Sequence, residues 1–184
     1  MADINTLGST KVSFKDVIAA TSTIRALQTL ISLPLLYPDH FNHGVLTDHA
    51  LTGILLFGPP GTGKTMLAKA VAAESGSSML EIKGSDIYDK YVGESEKNVR
   101  AIFSVARKMA PCVIFIDEVD ALFASRGSDI GSGSGKRETV NQFMAEWDGL
   151  RSGLRNRGVT VLCATNRPFD LDDAVLRRMP RRIL

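Results

Sequence analysis

The chain has 184 residues, of which 44% are hydrophobic and 23% charged, a composition that suits one folded domain with a buried core. Its formal net charge is +2, but four of the positive charges sit in the last eight residues, RRMPRRIL; the remainder is net negative, so the basic footprint of a nucleic-acid binder is missing. No apolar run approaches the roughly 20 residues that a membrane span needs, and the opening MADINTLGST has neither the basic nor the apolar region of a secretory signal.

Residues 1–11 are expected to form a flexible leader, and residues 12–14 are extended. TSTIRALQTLISL (21–33) has helical periodicity behind a Thr start, with Pro34 and Pro38 ending it. YPDHFNHGVLTDH follows as a polar loop holding His40, His43 and His49; no cysteine or acid lies at ligand spacing from them, so they read as surface histidines. ILLF (54–57) is a short apolar strand between Gly53 and Gly58, and GKTMLAKAVAAESG (63–76) a helix that stops at Gly76. SMLEIKG (78–84) is a strand, and ESEKNVRAIFSVARKMA (94–110) an amphipathic helix ending before Pro111.

CVIFID (112–117) and VTVLCAT (159–165) are continuous apolar strands of the kind buried on both faces. Cys112 and Cys163 lie inside them and read as buried, reduced thiols. Between these strands, SRGSDIGSGSGK (125–136) is a Gly/Ser tract read as a mobile loop, and RETVNQFMAEWDGL (137–150) is a helix. LDDAVLRRM (171–179) is a short helix, and RRIL starts what looks like one more strand, so the sequence reads as a fragment that stops early. Strands alternating with helices mean a parallel α/β sheet.

GPPGTGKT (58–65) joins the strand at 54–57 to the helix after it and satisfies G-x-x-x-x-G-K-[ST] in the strand–loop–helix setting that the motif requires. Gly61 and Gly63 let backbone N–H groups turn inward around an anion, and the helix directs its positive end to the same spot. Lys64 can reach the β- and γ-phosphates of a nucleotide, and the Thr65 hydroxyl can ligate Mg²⁺. VIFIDEVD (113–120) sets Asp117 and Glu118 at the C-terminal end of a buried strand, the edge where open α/β sheets bind ligands. Asp117 suits a place behind the magnesium waters, and Glu118 suits a general base for the attacking water; an apolar strand ending in acids is also an ordinary structural turn. Asn166 ends the next strand. Its amide could touch both the γ-phosphate and the water, and residue type alone equally allows a turn-forming Asn before Arg-Pro.

GPPGTGKT, IFIDEVD and ATNRPFDLDDAVLRRMPRR, in this order, resemble the AAA+ ATPases from about Val12 to Leu184. The resemblance implies a P-loop NTPase fold, a three-layer α/β/α sandwich with a five-stranded parallel sheet. It makes residues 12–184 the large ATPase subdomain, cut before a helical lid, with ATP and Mg²⁺ as ligands. Pro60, Gly61, Thr62, Gly63, Lys64, Thr65 and Met66 become the nucleotide-contacting positions. FKDVIAA (14–20) resembles the family's opening segment, which sets Asp16 and Ile18 near the adenine, although Ala19 and Ala20 stand where the family has glycine pairs. DKYVGESEKNVR (89–100) resembles the first pore loop, so Lys90, Tyr91 and Val92 would face a central channel; the residues alone also allow Tyr91 to pack beneath its own helix. The tract at 127–135 falls near the second pore loop. Arg181 and Arg182 match the arginine fingers that reach a neighbour's site, with a solvated basic turn as the plainer reading. Arg177 and Arg178 read as structural or interface charges.

WDGL (147–150) and RRMPRR resemble the branch that holds katanin, spastin, the ESCRT-disassembling ATPases and the mitochondrial outer-membrane extractases, and WDGL together with ATNRPFDLDDAVLRRMP is closest to the last group and related fungal mitochondrial proteins. The expectation is therefore a homo-hexameric ring that uses ATP hydrolysis to pull polypeptides, extracting mislocalised tail-anchored proteins from the cytosolic face of the mitochondrial outer membrane. The alternatives are microtubule severing or ESCRT disassembly by the same machinery in the cytoplasm, or a low-turnover nucleotide-dependent scaffold. The extractases carry an N-terminal membrane anchor that this sequence does not contain, and the 184 residues alone are expected to be monomeric.

Overall fold

The computed structural model describes residues 12–37, 40, 53–88, 94–123, 134–151 and 158–184. Five parallel strands form one sheet in the order β2-β3-β4-β1-β5: β1 (Gly53–Phe57), β2 (Ser78–Lys83), β3 (Cys112–Asp117), β4 (Val159–Thr165) and β5 (Arg181–Ile183). The central strands are buried on both faces, which is why they lack polar alternation. Their side chains still alternate between two cores. Ile54, Leu56, Val113, Phe115, Leu162 and Ala164 face one core, and Leu55, Ile114, Ile116, Val161 and Cys163 face the other.

Helix α1 (Thr21–Leu27), its continuation and α3 (Lys64–Glu74) cover the first face through Leu27, Ile31, Leu35, Leu67, Ala68 and Val71. Helices α4 (Glu94–Lys108), α5 (Val119–Phe123) and α6 (Ser134–Arg151) cover the second through Val99, Phe103, Leu122, Phe123, Phe143 and Trp147. The architecture is thus the expected three-layer α/β/α sandwich, and RRIL does supply the fifth strand, against β1.

Besides Phe14, which opens a 3-10 turn (Phe14–Asp16) instead of ending an extended stretch, three boundaries differ from the sequence reading. The first helix does not stop at Pro34. It widens into a π turn (Gln28–Ser32), where Leu33 N–H reaches back to Gln28 O, and resumes as α2 (Leu33–Leu36) before ending at Tyr37. The helix stays right-handed through Ser32 and Leu33, and the π turn falls immediately before Pro34, which has no N–H with which to continue the ladder. Second, α6 begins at Ser134, so the end of the Gly/Ser tract is helix; the Thr139 hydroxyl donates to Gly135 O at 2.9 Å and ties that first turn down. Third, the short helix α7 spans Asp173–Leu176 alone, because the Asp172 side chain accepts from Ala174 N–H (2.8 Å) and acts as its N-cap.

The leader 1–11, His43, His49, the pore-loop residues Lys90, Tyr91 and Val92, and the rest of the Gly/Ser tract lie outside the described residues. His40 is exposed, and no group of three potential metal ligands occurs among the described residues. Both cysteines are free and buried as expected; burial pushes the Cys112 thiol up to about 11 and Cys163 higher still, so neither is a ready nucleophile.

Phe143 is the hub of the α4–α5–α6 face. It meets Phe103, Phe123 and Trp147 edge-on at centroid distances of 5.0, 5.2 and 5.7 Å. Phe143→Ala is expected to cost about 3–5 kcal/mol through the cavity it leaves. That corresponds to a fall in Tm of roughly 6–20 °C for a chain of this size, measured by thermal denaturation, with Phe143→Leu losing much less.

Candidate active site

The strand order brings three loop beginnings to one edge. Phe57 pairs with Thr165 and Ile116 with Cys163, so β1, β4 and β3 end side by side. The segment after β1 is the phosphate loop, the one after β3 carries Glu118, and the one after β4 opens with Asn166.

In the phosphate loop, Gly61 and Gly63 have φ of 78° and 81°. No heavy atom lies within 4 Å of where their side chains would be, so what selects glycine here is the left-handed backbone and not crowding. Gly63 is also the N-cap of α3 and offers no side chain to its first amides, which leaves those donors and the positive helix end available to an anion. The Lys64 ammonium donates to Gly58 O (2.9 Å), Pro59 O (2.8 Å) and Asn166 Oδ1 (2.8 Å), and Thr62 Oγ1 donates to Pro59 O (2.9 Å). Pro60 and Met66 are exposed beside the loop.

One residue on, the Thr65 hydroxyl donates to Asp117 Oδ2 at 2.9 Å, linking α3 to the end of β3. Asp117 Oδ1 accepts from Glu118 N–H at 2.9 Å. A hydroxyl and a carboxylate in contact are the hard oxygen donors that magnesium prefers, so this pair fits the ion. Glu118 is exposed and has φ 50°, the one non-glycine residue with positive φ among those described. This backbone is costly for a residue with a side chain and turns Glu118 out of the line of β3.

Sequence separation hid a second layer. Buried Thr165 donates its hydroxyl to Asp120 Oδ1 (2.6 Å) and accepts from Arg167 N–H (2.9 Å), which fixes the turn presenting Asn166. The i,i+2 spacing of Thr165 and Arg167 hinted at the turn. Nothing in sequence hinted at Asp120, which lies 45 positions away.

The remaining expected residues take no part in these hydrogen bonds. Asp16 closes a capping box, accepting from Ser13 N–H at 2.8 Å around the 3-10 turn Phe14–Asp16, and Ile18 beyond it is fully exposed. Arg178 makes a two-pronged bond to Asp148 (2.8 and 2.6 Å), a structural use that matches its sequence reading. Arg181 and Arg182 are exposed on the edge strand β5, opposite Ile54 and Leu55. That register places Arg181 about 13 Å along β1 from the chain's own phosphate loop. As neighbours on a strand, the two arginines leave on opposite faces of the sheet, and neither makes a side-chain hydrogen bond or salt bridge among the described residues.

A model of the family described as "ATPase family associated with various cellular activities (AAA)" matches residues 54–184. Spastin of Xenopus laevis is 48% identical over 172 residues, 94% of this chain and 28% of that protein. Spastin of Homo sapiens is 47% identical over 174 residues, 95% of this chain and 27% of that protein. The chain thus spans less than a third of the length of these relatives. The solved structure of the FIGL-1 AAA domain superposes with a TM-score of 0.82 at 38% identity, covering 99% of this chain and 57% of that one. The same domain in complex with ADP gives 0.79 at 39%, covering 93% and 54%. A phosphate loop and an acidic strand end held together at one edge of this five-stranded sheet, with these relatives, have one common meaning: the chain belongs to the AAA family of ATPases.

Proposed function

We propose that this chain is the motor part of a hexameric ring that hydrolyses ATP between β1, β3 and β4 and uses the cycle to pull a polypeptide. The observation that carries the reading is the joining of the strand ends by Lys64–Asn166 and Thr65–Asp117, both made by groups suited to a nucleotide triphosphate. Lys64 exchanges carbonyl oxygens for β- and γ-phosphate oxygens, and the loop amides at Gly61 and Gly63 take the remaining phosphate charge. Thr65 and Asp117 would hold magnesium, which when bound neutralises charge on the phosphates. Asn166 moves from the ammonium to the γ-phosphate and the attacking water. Glu118 accepts a proton from that water as its oxygen bonds to phosphorus and the bond to the β–γ bridging oxygen breaks, giving ADP and phosphate. Asp16 and Ile18 would lie near the base.

A low-turnover scaffold would not need an exposed Glu118 held clear of the strand. For the substrate, the alternative named from the sequence, microtubule severing, is better supported than extraction of tail-anchored proteins. The 47–48% identity to spastins over nearly the whole chain supports it, and these relatives lend nothing to the extraction reading. Severing of labelled microtubules, assayed beside release of a tail-anchored protein from vesicles, decides between them; release without severing would reverse the choice.

In the full-length protein, Lys64→Ala is expected to weaken ATP binding about tenfold or more by removing a charged hydrogen-bond donor. Glu118→Gln should keep ATP bound and slow hydrolysis by about 10²–10⁴-fold, because an amide cannot take the proton. Equilibrium binding and phosphate release read the two separately, and parental turnover by Glu118→Gln would remove it from the base role.

Tyr91→Ala should leave basal hydrolysis near the parental rate and abolish work on the polymer, since Tyr91 is assigned to substrate and not to nucleotide. Retained severing in this variant returns Tyr91 to local packing.

The arginines are tested by mixing subunits. An Arg181→Ala/Arg182→Ala subunit keeps its base and supplies no finger; a Glu118→Gln subunit supplies fingers and has no base. Each alone should lose activity, by about 10³–10⁵-fold for a full finger loss, and mixed rings should recover it. Because the two arginines leave the sheet on opposite faces, the single variants should differ, and the more damaging one identifies the finger. Mixed rings that form without recovering activity would exclude the role in the neighbour's site.

A further inference from the structure

The chain leaving β2 presses directly on Glu118. Gly84 opens the 3-10 turn Gly84–Ile87 and is buried. A side-chain carbon at Gly84 would lie 2.6 Å from Glu118 O, 3.3 Å from Leu122 N and 3.4 Å from Glu118 C. All of these are backbone atoms, so no rotamer change could relieve the contact. Gly84 itself is not in the left-handed region, so close approach, and not backbone freedom, is what excludes a side chain here.

The other end of the same turn is fastened too. Tyr88 Oη donates to Leu122 O at 2.9 Å, and burial pushes the Tyr88 hydroxyl up to about 12. Ile87 is buried in the core that also holds Val119 and Leu122. The turn therefore brackets α5, with Gly84 against the carbonyl that precedes the helix and Tyr88 on a carbonyl near its end. Glu118 needs such support, because its left-handed backbone is unfavourable for a residue with a side chain. Its N–H is held by Asp117 Oδ1 (2.9 Å), its C=O accepts from Ala121 N–H (2.9 Å), and Gly84 closes the remaining side of that carbonyl.

We propose that Gly84 is a positioning residue for ATP hydrolysis: its missing side chain lets the 3-10 turn after β2 seat against the Glu118 peptide and keeps the Glu118 carboxylate aimed at the attacking water. The proposal rests on the assignment of Glu118 as the base. A methyl at Gly84 must push the Glu118 carbonyl back by several tenths of an ångström, and the carboxylate, at the end of its flexible stem, moves with the peptide. Lys64, Thr65 and the loop amides stand on β1 and α3 and are left in place.

The experiment measures kcat, ATP affinity, melting temperature and a crystal structure for Gly84→Ala in the full-length protein, with Glu118→Gln beside it. Gly84→Ala is expected to lower kcat about 10–100-fold, the scale of a sub-ångström to 1 Å misplacement, with ATP affinity within about twofold of parental. The crystal structure should show the Glu118 carbonyl displaced and the phosphate loop unmoved. In the Glu118→Gln background, Gly84→Ala should add no further loss to the single-turnover rate, whereas a general structural defect would add its loss there as well. Should Gly84→Ala fail to fold, Tyr88→Phe takes its place: it keeps the ring, removes only the bond to Leu122 O, and should lower kcat severalfold at unchanged affinity. Parental kcat in the folded variant, a loss of ATP affinity matching the loss of kcat, or an additive loss in the Glu118→Gln background overturns the proposal while leaving Glu118 as the base. Parental turnover by Glu118→Gln itself overturns the base assignment and the proposal together.

Discussion

The parallel register of β3, β4 and β1 is the constraint on which everything else in this molecule depends. These strands are buried on both faces, so a slip of one residue would exchange the side chains facing the two cores and force both to repack. That penalty pins Phe57 beside Thr165 and Ile116 beside Cys163. The phosphate loop, the acidic strand end and Asn166 are then brought to one edge with no further adjustment. The chemistry is carried by the loops, and their relative position is set by hydrophobic burial some way below them.

Local backbone features refine what the register places. Left-handed glycines turn the phosphate loop inward, and a left-handed glutamate turns Glu118 away from its strand. The two differ in kind. Gly61 and Gly63 adopt their conformations freely in open space, whereas Glu118 must be held by its neighbours, on Asp117, on Ala121 and at Gly84. A loop that receives an anion can adjust around it. The base proposed at Glu118 would have to be aimed before the water arrives, which such a fixed peptide suits.

The edge strand β5, beside β1, carries a different kind of group. Arg181 and Arg182 are fixed by pairing with β1 yet leave their charges exposed, while Arg178 is tied to Asp148 within the chain. Arginine is permanently charged and planar, and a rigid strand that holds its backbone and frees its guanidinium is compatible with the finger role proposed for it.

Much of this was legible from the sequence. GPPGTGKT named the phosphate loop, because the glycines, Lys64 and Thr65 act within a few residues of one another and spacing alone specifies their geometry. The apolar runs ILLF, CVIFID and VTVLCAT named the buried strands for a similar reason, since burial on both faces leaves no room for polar residues. What the sequence could not contain was any contact made across the sheet. Asp120 on Thr165, Tyr88 on Leu122, Asp148 on Arg178 and Gly84 against Glu118 join residues 30 or more positions apart, and no periodicity links them. Pro34 shows the same limit at short range: its rule predicts a helix end, and a widened turn packed into the core through Ile31 overrides it. Local chemistry is written in local spacing, but which distant backbone comes to lie against Glu118 is decided only when the two cores close on the sheet.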